Sequence, residues 1–260
     1  MAKIYPMVVD LSHWDPASSY EKVAASGIVG VIYKATEGTG YTDPTYVQQQ
    51  KAAKAAGLCW GSYHFADASD VNKQIDNYLR FACPDPDELF CLDWEDNPSG
   101  GGKMTLANVK TWISAVEGAL NRPNQCVLYG GNTIKEALGS EVDEFLFSRR
   151  LWLCQYGSTP TWPPTWDSYW LWQFTDGEVG PTPHSVDGIG PCDINSYDRG
   201  PEEQLIAEWA SGTAQPVPPE PSVEAVNVLI SAPADVRVIV RQVQQHNVTR
   251  ERLNRQNEAK

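Results

Sequence analysis

Five times between residues 7 and 139 the chain passes from a short apolar stretch of strand length into a segment of helical character. The apolar stretches are Met7–Ser12, Val29–Thr36, Cys59–Phe65, Leu89–Glu95 and Cys126–Tyr129, and the helical segments are 17–26, 44–56, 69–82, 105–120 and 133–139. Alternation of this kind builds a parallel sheet, because each crossover helix returns the chain to the same end of the sheet. Residues 105–120 make the clearest helix, with Leu106, Val109, Ile113, Val116 and Leu120 on one stripe. Gly27 and Gly57 stop two of the others. After residue 139 the rhythm changes. Leu151–Tyr156, Tyr169–Thr175 and Cys192–Ser196 read as three strands joined by Pro-, Trp- and Gly-rich loops, and 201–210 reads as a closing helix. Five β-α units followed by three strands predict a parallel α/β barrel with a degenerate second half.

A barrel places its working groups at the C-terminal ends of its strands. Asp10, Glu37, Tyr63, Asp93 with Glu95, Tyr129, Gln173 and Asp193 all fall there. Asp93 and Glu95 close an apolar run, and side chains two apart on a strand point the same way. An acid after a strand is often a helix cap or a turn residue, as Asp96, Asn97 and Pro98 look to be. Caps do not explain why tyrosines gather at the same ends. Crowded carboxyls raise the pKa of at least one of the pair, and a carboxyl so raised can donate a proton near neutral pH, as glycosidic cleavage requires.

The net charge of −13 argues against nucleic-acid binding, which needs a basic face. No apolar run is long enough to span a bilayer, so membrane insertion is not expected. The first ten residues carry no secretion signal, which leads us to expect a cytoplasmic protein or one released by an unconventional route. The six cysteines form no C-x-x-C pair and are expected to be free thiols. The four histidines give no zinc-binding spacing, so neither metal nor other cofactor is expected.

The strand-end segments, taken in order, are Asp10-Leu-Ser-His-Trp-Asp15, Tyr33-Lys-Ala-Thr-Glu-Gly38, Gly61-Ser-Tyr-His-Phe65, Asp93-Trp-Glu95, Leu171-Trp-Gln-Phe-Thr175 and Asp193-Ile-Asn195. Six motifs in register resemble glycoside hydrolase family 25, the Chalaropsis-type lysozymes (N-acetylmuramidases), which include many phage endolysins. The resemblance runs from residue 7 to about 200. It implies an irregular, flattened β/α barrel, TIM-like, of five β/α units and three further strands. It implies peptidoglycan as the partner, cut at the β-1,4 bond between N-acetylmuramic acid and N-acetylglucosamine. It also implies Glu95 as general acid, Asp10, Asp93 and Asp193 as the other catalytic carboxylates, and Tyr63 and Tyr129 as lining of the sugar subsite. With no secretion signal, an endolysin held in the host cytoplasm until it reaches the wall is the expected setting. Cys192, before the last Asp, and the Trp- and Pro-rich loop 157–169 depart from the family pattern and bear on subsite preference.

Three chemical routes stay open at this level. A second carboxylate attacks the anomeric carbon, at a carboxyl separation of about 5 Å, or it activates water, at about 6.5–9.5 Å. In the third, the substrate's own 2-acetamido oxygen attacks while a carboxylate such as Asp93 orients its N–H, and we favour this one. Glu37 either contacts substrate or pairs with Lys34. Trp162, Trp166, Trp170 and Trp172 cluster in the late segments and, with Gln173, are candidates for a glycan groove. Trp14, Trp60, Trp94, Trp112, Trp152 and Trp209 are assigned to the core, and His64 to a structural role.

The barrel is expected to fill 1–210. Residues 211–221 read as a Pro-rich linker, and 222–260 as a small appendage with a β-hairpin and a polar tail. From 222 onward six Arg and Lys face four Asp and Glu, leaving 14 basic and 29 acidic residues for the rest. Self-association, contact with the wall and an untethered tail are the readings open for this segment.

Overall fold

The computed structural model describes residues 3–98 and 100–211. The linker beyond Ser211, the hairpin and the polar tail lie outside the described residues.

Seven strands run parallel. They are β1 (Pro6–Leu11), β2 (Gly30–Glu37), β4 (Cys59–Phe65), β5 (Leu89–Asp93), β6 (Val127–Gly130), β7 (Arg150–Cys154) and β8 (Leu171–Thr175). An eighth strand, β11 (Asp193–Ser196), pairs antiparallel with both β8 and β1 and closes the barrel. The irregular second half of the barrel thus ends in a strand that runs against the other seven. The segment between β8 and β11 stays at the strand C-terminal end, where Asp176, Glu178, Pro191 and Asp193 border one pocket with Asp10, so β11 starts from that end. The short strand β3 (Tyr41–Thr42) folds back as a hairpin on the end of β2, and β9 (Ser185–Val186) pairs with β10 (Gly190–Pro191). Neither short pair carries a pattern long enough to read in the sequence.

Helices α1 (Tyr20–Ala25), α2 (Tyr46–Ala55), α3 (Val71–Phe81), α4 (Leu106–Leu120) and α5 (Asn132–Leu138) follow successive strands, and a short α6 (Glu144–Phe147) precedes β7. Their ends are set by local chemistry. Asp70 and Thr105 accept the backbone N–H groups of Lys73 and Asn108 as N-caps, and Asn121 ends α4 in the left-handed conformation at φ 52°.

Strand alternation divides the core in two. Val8, Ile32, Leu89, Cys91, Val127 and Leu171 fill the barrel interior, while Val9, Val31, Phe90, Leu92, Leu128 and Phe174 face the helices. Helix α7 (Glu202–Trp209) plugs the end opposite the strand C-termini. There the Trp209 indole donates to the Trp60 carbonyl at 2.7 Å. A Cβ at position 30 would run into the Trp209 ring, so this close approach requires Gly30. The six cysteines are free, with Cys91, Cys126 and Cys192 buried.

Candidate active site

At the open end a cavity of about 300 Å³ is lined by Asp10, Ser12, Trp14, Lys34, Tyr63, Phe65, Asp93, Glu95, Tyr129, Trp152, Tyr156, Gln173, Asp176 and Asp193. Each of the four carboxylates named from the sequence reaches it. On β5 the interior positions are Leu89, Cys91 and Asp93. The strand ends at Asp93, two residues earlier than expected, yet the extended path continues, since the Trp94 N–H still donates to the Tyr129 carbonyl at 2.9 Å. Trp94 turns the other way into the core and donates from its indole to the Met104 carbonyl at 2.8 Å. The next side chain, Glu95, is thereby returned to the cavity.

Asp193 arrives by another route. It is the first residue of β11, not the last, and the antiparallel course of that strand puts its beginning at the mouth where the parallel strands end.

Burial dominates the electrostatics. It drives the Asp10 carboxyl up to about 7, against hydrogen bonds from Asn195 and Gln173 that pull it down. Burial, with Asp10 next, pushes Asp193 up to about 9. Burial and the neighbouring Glu95 raise Asp93 well above the usual carboxylate range. Glu95 is raised by burial and restrained by the Lys34 ammonium. Asp93 Oδ1 is buried and has no hydrogen-bond partner among the described residues.

Tyr63 and Tyr129 line the cavity, and burial raises both phenols. Gln173 also lines it but is only 1% exposed, and its amide is engaged by protein groups. Trp172 is not brought to the site. Next to Gln173 on a strand it must face the other side, and it is fully buried there, its indole donating to the Gln155 carbonyl at 2.8 Å. Trp166 and Trp170 are likewise buried, and Trp162 packs partly buried against the core, so the expected late tryptophan groove is core structure.

Glu37 lies beside the acid cavity. It accepts from Lys34 Nζ at 2.5 Å and from Asn97 Nδ2 at 2.9 Å. Burial pushes its carboxyl up, but those partners outweigh burial and leave it below its ordinary value. It borders an adjoining pocket of about 370 Å³ with His13, Trp14, Lys34, Tyr41, Phe65, Asn97 and Pro98. Of the two roles open to Glu37, the ion pair with Lys34 is formed.

Trp14, expected in the core, is instead 83% exposed at the junction of the two cavities. It sits in the loop after β1, where no periodicity reveals a side chain's direction. Tyr156, Trp152 and Asp176 also line the cavity and Asp15 borders the pocket beside it, with no local sequence pattern that marks them. His64 is structural. It is fully buried between Thr36 (2.7 Å) and Gln74 (3.0 Å) and stacks on Trp112, and burial lowers its imidazole to about 4. Among the described residues no group of three or more His, Cys, Asp or Glu side chains is arranged to hold a metal ion, and no helix is long and apolar enough to cross a membrane.

An α/β barrel with a carboxylate cluster at its mouth is the architecture of a large class of glycan-processing enzymes. The family model for glycosyl hydrolases family 25 matches residues 9–182, and the chain belongs to that family. It is 27% identical over 191 residues to Lysozyme M1 of Streptomyces globisporus, covering 69% of this chain and 65% of that protein, so it spans just under two thirds of that relative. It is 26% identical over 183 residues to the N,O-diacetylmuramidase of Chalaropsis, covering 64% of this chain and 86% of that protein. Among solved structures, the lysozyme from Streptomyces coelicolor superimposes with a TM-score of 0.67 at 28% identity, covering 82% of this chain and all of that one.

Proposed function

We propose that this protein is a peptidoglycan hydrolase of the muramidase type, cutting the β-1,4 bond between N-acetylmuramic acid and N-acetylglucosamine. The observation that carries the proposal is the meeting of Asp10, Asp93, Glu95 and Asp193, from three different strand ends, around one cavity in a family 25 barrel. The leaving sugar's 4-oxygen departs only if protonated. Glu95 is half-buried and raised by its surroundings, so it can hold a proton near neutral pH and deliver it.

Positive charge then develops at the anomeric carbon. The 2-acetamido oxygen of the muramic acid attacks that carbon from within the substrate, and Asp93 accepts the acetamido N–H. Supporting this is the buried Asp93 Oδ1, an acceptor with no partner among the described residues. Water, deprotonated by Glu95 in its second role, opens the resulting ring with net retention. Asp10, whose carboxylate is held by two amide donors, supplies counter-charge.

The setting we propose is that of a phage-type endolysin, kept in the host cytoplasm and acting on the wall after release. The resemblance of the strand-end motifs to a family that includes such lysins supports it. Purified peptidoglycan, digested, reduced with borohydride and analysed by mass, tests the chemistry. Wild type should yield new reduced muramic acid ends and Glu95→Gln none, while the variant still sediments with walls. Reduced glucosamine ends, or free amino groups without reducing ends, would replace this function with another. An inverted anomer at early times by NMR would remove acetamido participation. Synthesis during infection followed by host lysis that depends on Glu95 would support the endolysin setting, and lysis indifferent to it would not.

A further inference from the structure

Asp10 is gripped at both oxygens. Gln173 Nε2 donates to Oδ2 at 2.9 Å, and Asn195 Nδ2 donates to Oδ1 at 2.7 Å. The two amides are register partners on β8 and β11, and both are essentially buried. Their orientation follows from their other contacts. The Trp152 indole N–H meets Asn195 Oδ1 at 2.5 Å. An indole can only donate, so this end of Asn195 must be its oxygen and the NH₂ must face Asp10. Asn195 Nδ2 also meets the Val8 carbonyl, which can only accept, at 3.3 Å.

Gln173 Oε1 sits among three hydroxyl and thiol donors: Tyr129 at 2.9 Å, Tyr156 at 2.9 Å and Cys154 Sγ at 3.2 Å. With its oxygen so occupied, its NH₂ is turned to Asp10. An acceptor-only carboxylate suits two donors, whereas a protonated carboxyl would set its own hydrogen against one of them.

We propose that Gln173 and Asn195 are positioning residues that lock Asp10 in place as the ionised member of the carboxylate group, leaving Glu95 to carry the proton. Gln173 is thereby taken off the list of substrate contacts. This assignment rests on the glycosidase reading for its kinetic consequence but not for its electrostatic one. The groups facing Asp10 are Asp15 beyond β1, Lys34 on β2, Tyr63 on β4, Asp93 and Glu95 at β5, Tyr129 on β6, Tyr156 beyond β7, Asp176 beyond β8 and Asp193 on β11. Lys34 is the one cation among them, so the two amides are the local donors that favour charge on Asp10. They are also the strongest influences opposing its burial.

The test uses Gln173→Met and Asn195→Leu, each of similar volume, without donors and without added charge. Folding is checked by circular dichroism and melting temperature. Two quantities are read: pH profiles of reducing-end release from peptidoglycan, and ¹³C NMR titration of the aspartate carboxyls, with Asp10 assigned through Asp10→Asn. In each variant the Asp10 midpoint and the acidic limb of kcat/KM should move up by about one pH unit. The kcat should fall on the order of 10²-fold, with KM changed less than two-fold. In an Asp10→Asn background, Gln173→Met should add little.

A folded variant with an unmoved Asp10 titration overturns the proposal, as does a rise in KM alone, which would return Gln173 to substrate contact. If the wild type releases no reducing ends, the glycosidase reading fails while the NMR titration still decides the clamp. If Gln173→Met does not fold, Asn195→Leu carries the same decision.

Discussion

Asp10 and Asp193 are direct register partners on the antiparallel strands β1 and β11, so two carboxylates stand opposite one another across a single ladder rung at the cavity mouth. Burial is the main cost, raising Asp193 to about 9, with the charge of Asp10 next, and Asp10 to about 7; like charges so placed also oppose each other. The barrel thus holds together a pair that its own stability would have apart, the form that a stability–activity compromise takes at a working site.

Asp193→Asn should therefore stabilise the protein while impairing it. Because the folded pKa lies above the unfolded value, the wild-type contribution is fully present below about pH 4 and is lost as pH rises through about 9. Asparagine does not titrate. The variant's melting temperature should equal that of wild type near pH 4 and exceed it increasingly from pH 5 to 9, with about 2–4 °C for each kcal/mol relieved. Reducing-end release should fall on the order of 10²-fold. Scanning calorimetry at several pH values, beside the activity assay, checks both halves.

Lys34 is the cation that restrains the acid. Its ammonium opposes the rise of Glu95 and of Asp93. Lys34→Met removes that restraint, so the Glu95 carboxyl should keep its proton to higher pH. The alkaline limb of kcat/KM should shift upward by up to about one unit, and an unmoved or lowered limb would separate Lys34 from the acid. Glu37, released from its 2.5 Å partner, should at the same time rise toward an ordinary carboxylate value.

Much of this site was legible because strand parity is a strict rule. Leu89, Cys91 and Asp93 alternate with Phe90 and Leu92, and the alternation survives past the strand end to separate Trp94 from Glu95. The same rule, applied to β8, excludes Trp172 once Gln173 is admitted, since neighbours cannot share a face. Parity has no hold on Trp14, which stands in a loop, nor on the direction of β11, which depends on the connection before it. Asn195 shares a face with Asp193 by the same two-residue spacing, but its grip on Asp10 is a contact between residues 185 positions apart that no local pattern contains.

Trp14 should act on binding alone. Its loop is tied down, with Ser12 N–H on Asp15 Oδ1 at 2.8 Å and the His13 ring on Asp43 at 2.9 Å, so an indole that is 83% exposed is held out over the two adjoining cavities by structure. An aromatic face at the rim of a polar cleft gives the C–H face of a sugar ring a surface to stack on. Trp14→Ala should raise KM about ten-fold with kcat nearly unchanged. Stability should change by no more than about 0.5 kcal/mol, as for a surface substitution. Kinetics on soluble glycan fragments of increasing length locate the effect, which should vanish for fragments too short to reach the rim.

Away from the site, the joint between α4 and β7 rests on a buried ion pair. Arg149, just before β7, gives Nη2 to Glu117 Oε2 at 2.6 Å and Nε to Oε1 at 3.2 Å, and the same carboxylate takes the Cys126 N–H at 3.1 Å at the start of β6. The guanidinium also lies over the Phe145 ring, 3.7 Å from its centroid. Removing one partner leaves the other charge buried and alone, which costs about 3–5 kcal/mol. Arg149→Met should lower the urea midpoint accordingly, with the slope of the transition unchanged. Glu117→Gln should cost about as much, since its NH₂ would set a donor against Arg149 Nη2 and leave the guanidinium charge unpaired, although its amide oxygen can still accept from Cys126. Arg149→Met with Glu117→Leu should recover part of the loss and leave the Cys126 N–H unsatisfied. Neither residue lines the acid cavity, so the folded variants should keep wild-type kcat/KM, and a fall in activity without a fall in midpoint would break the separation between this joint and the chemistry.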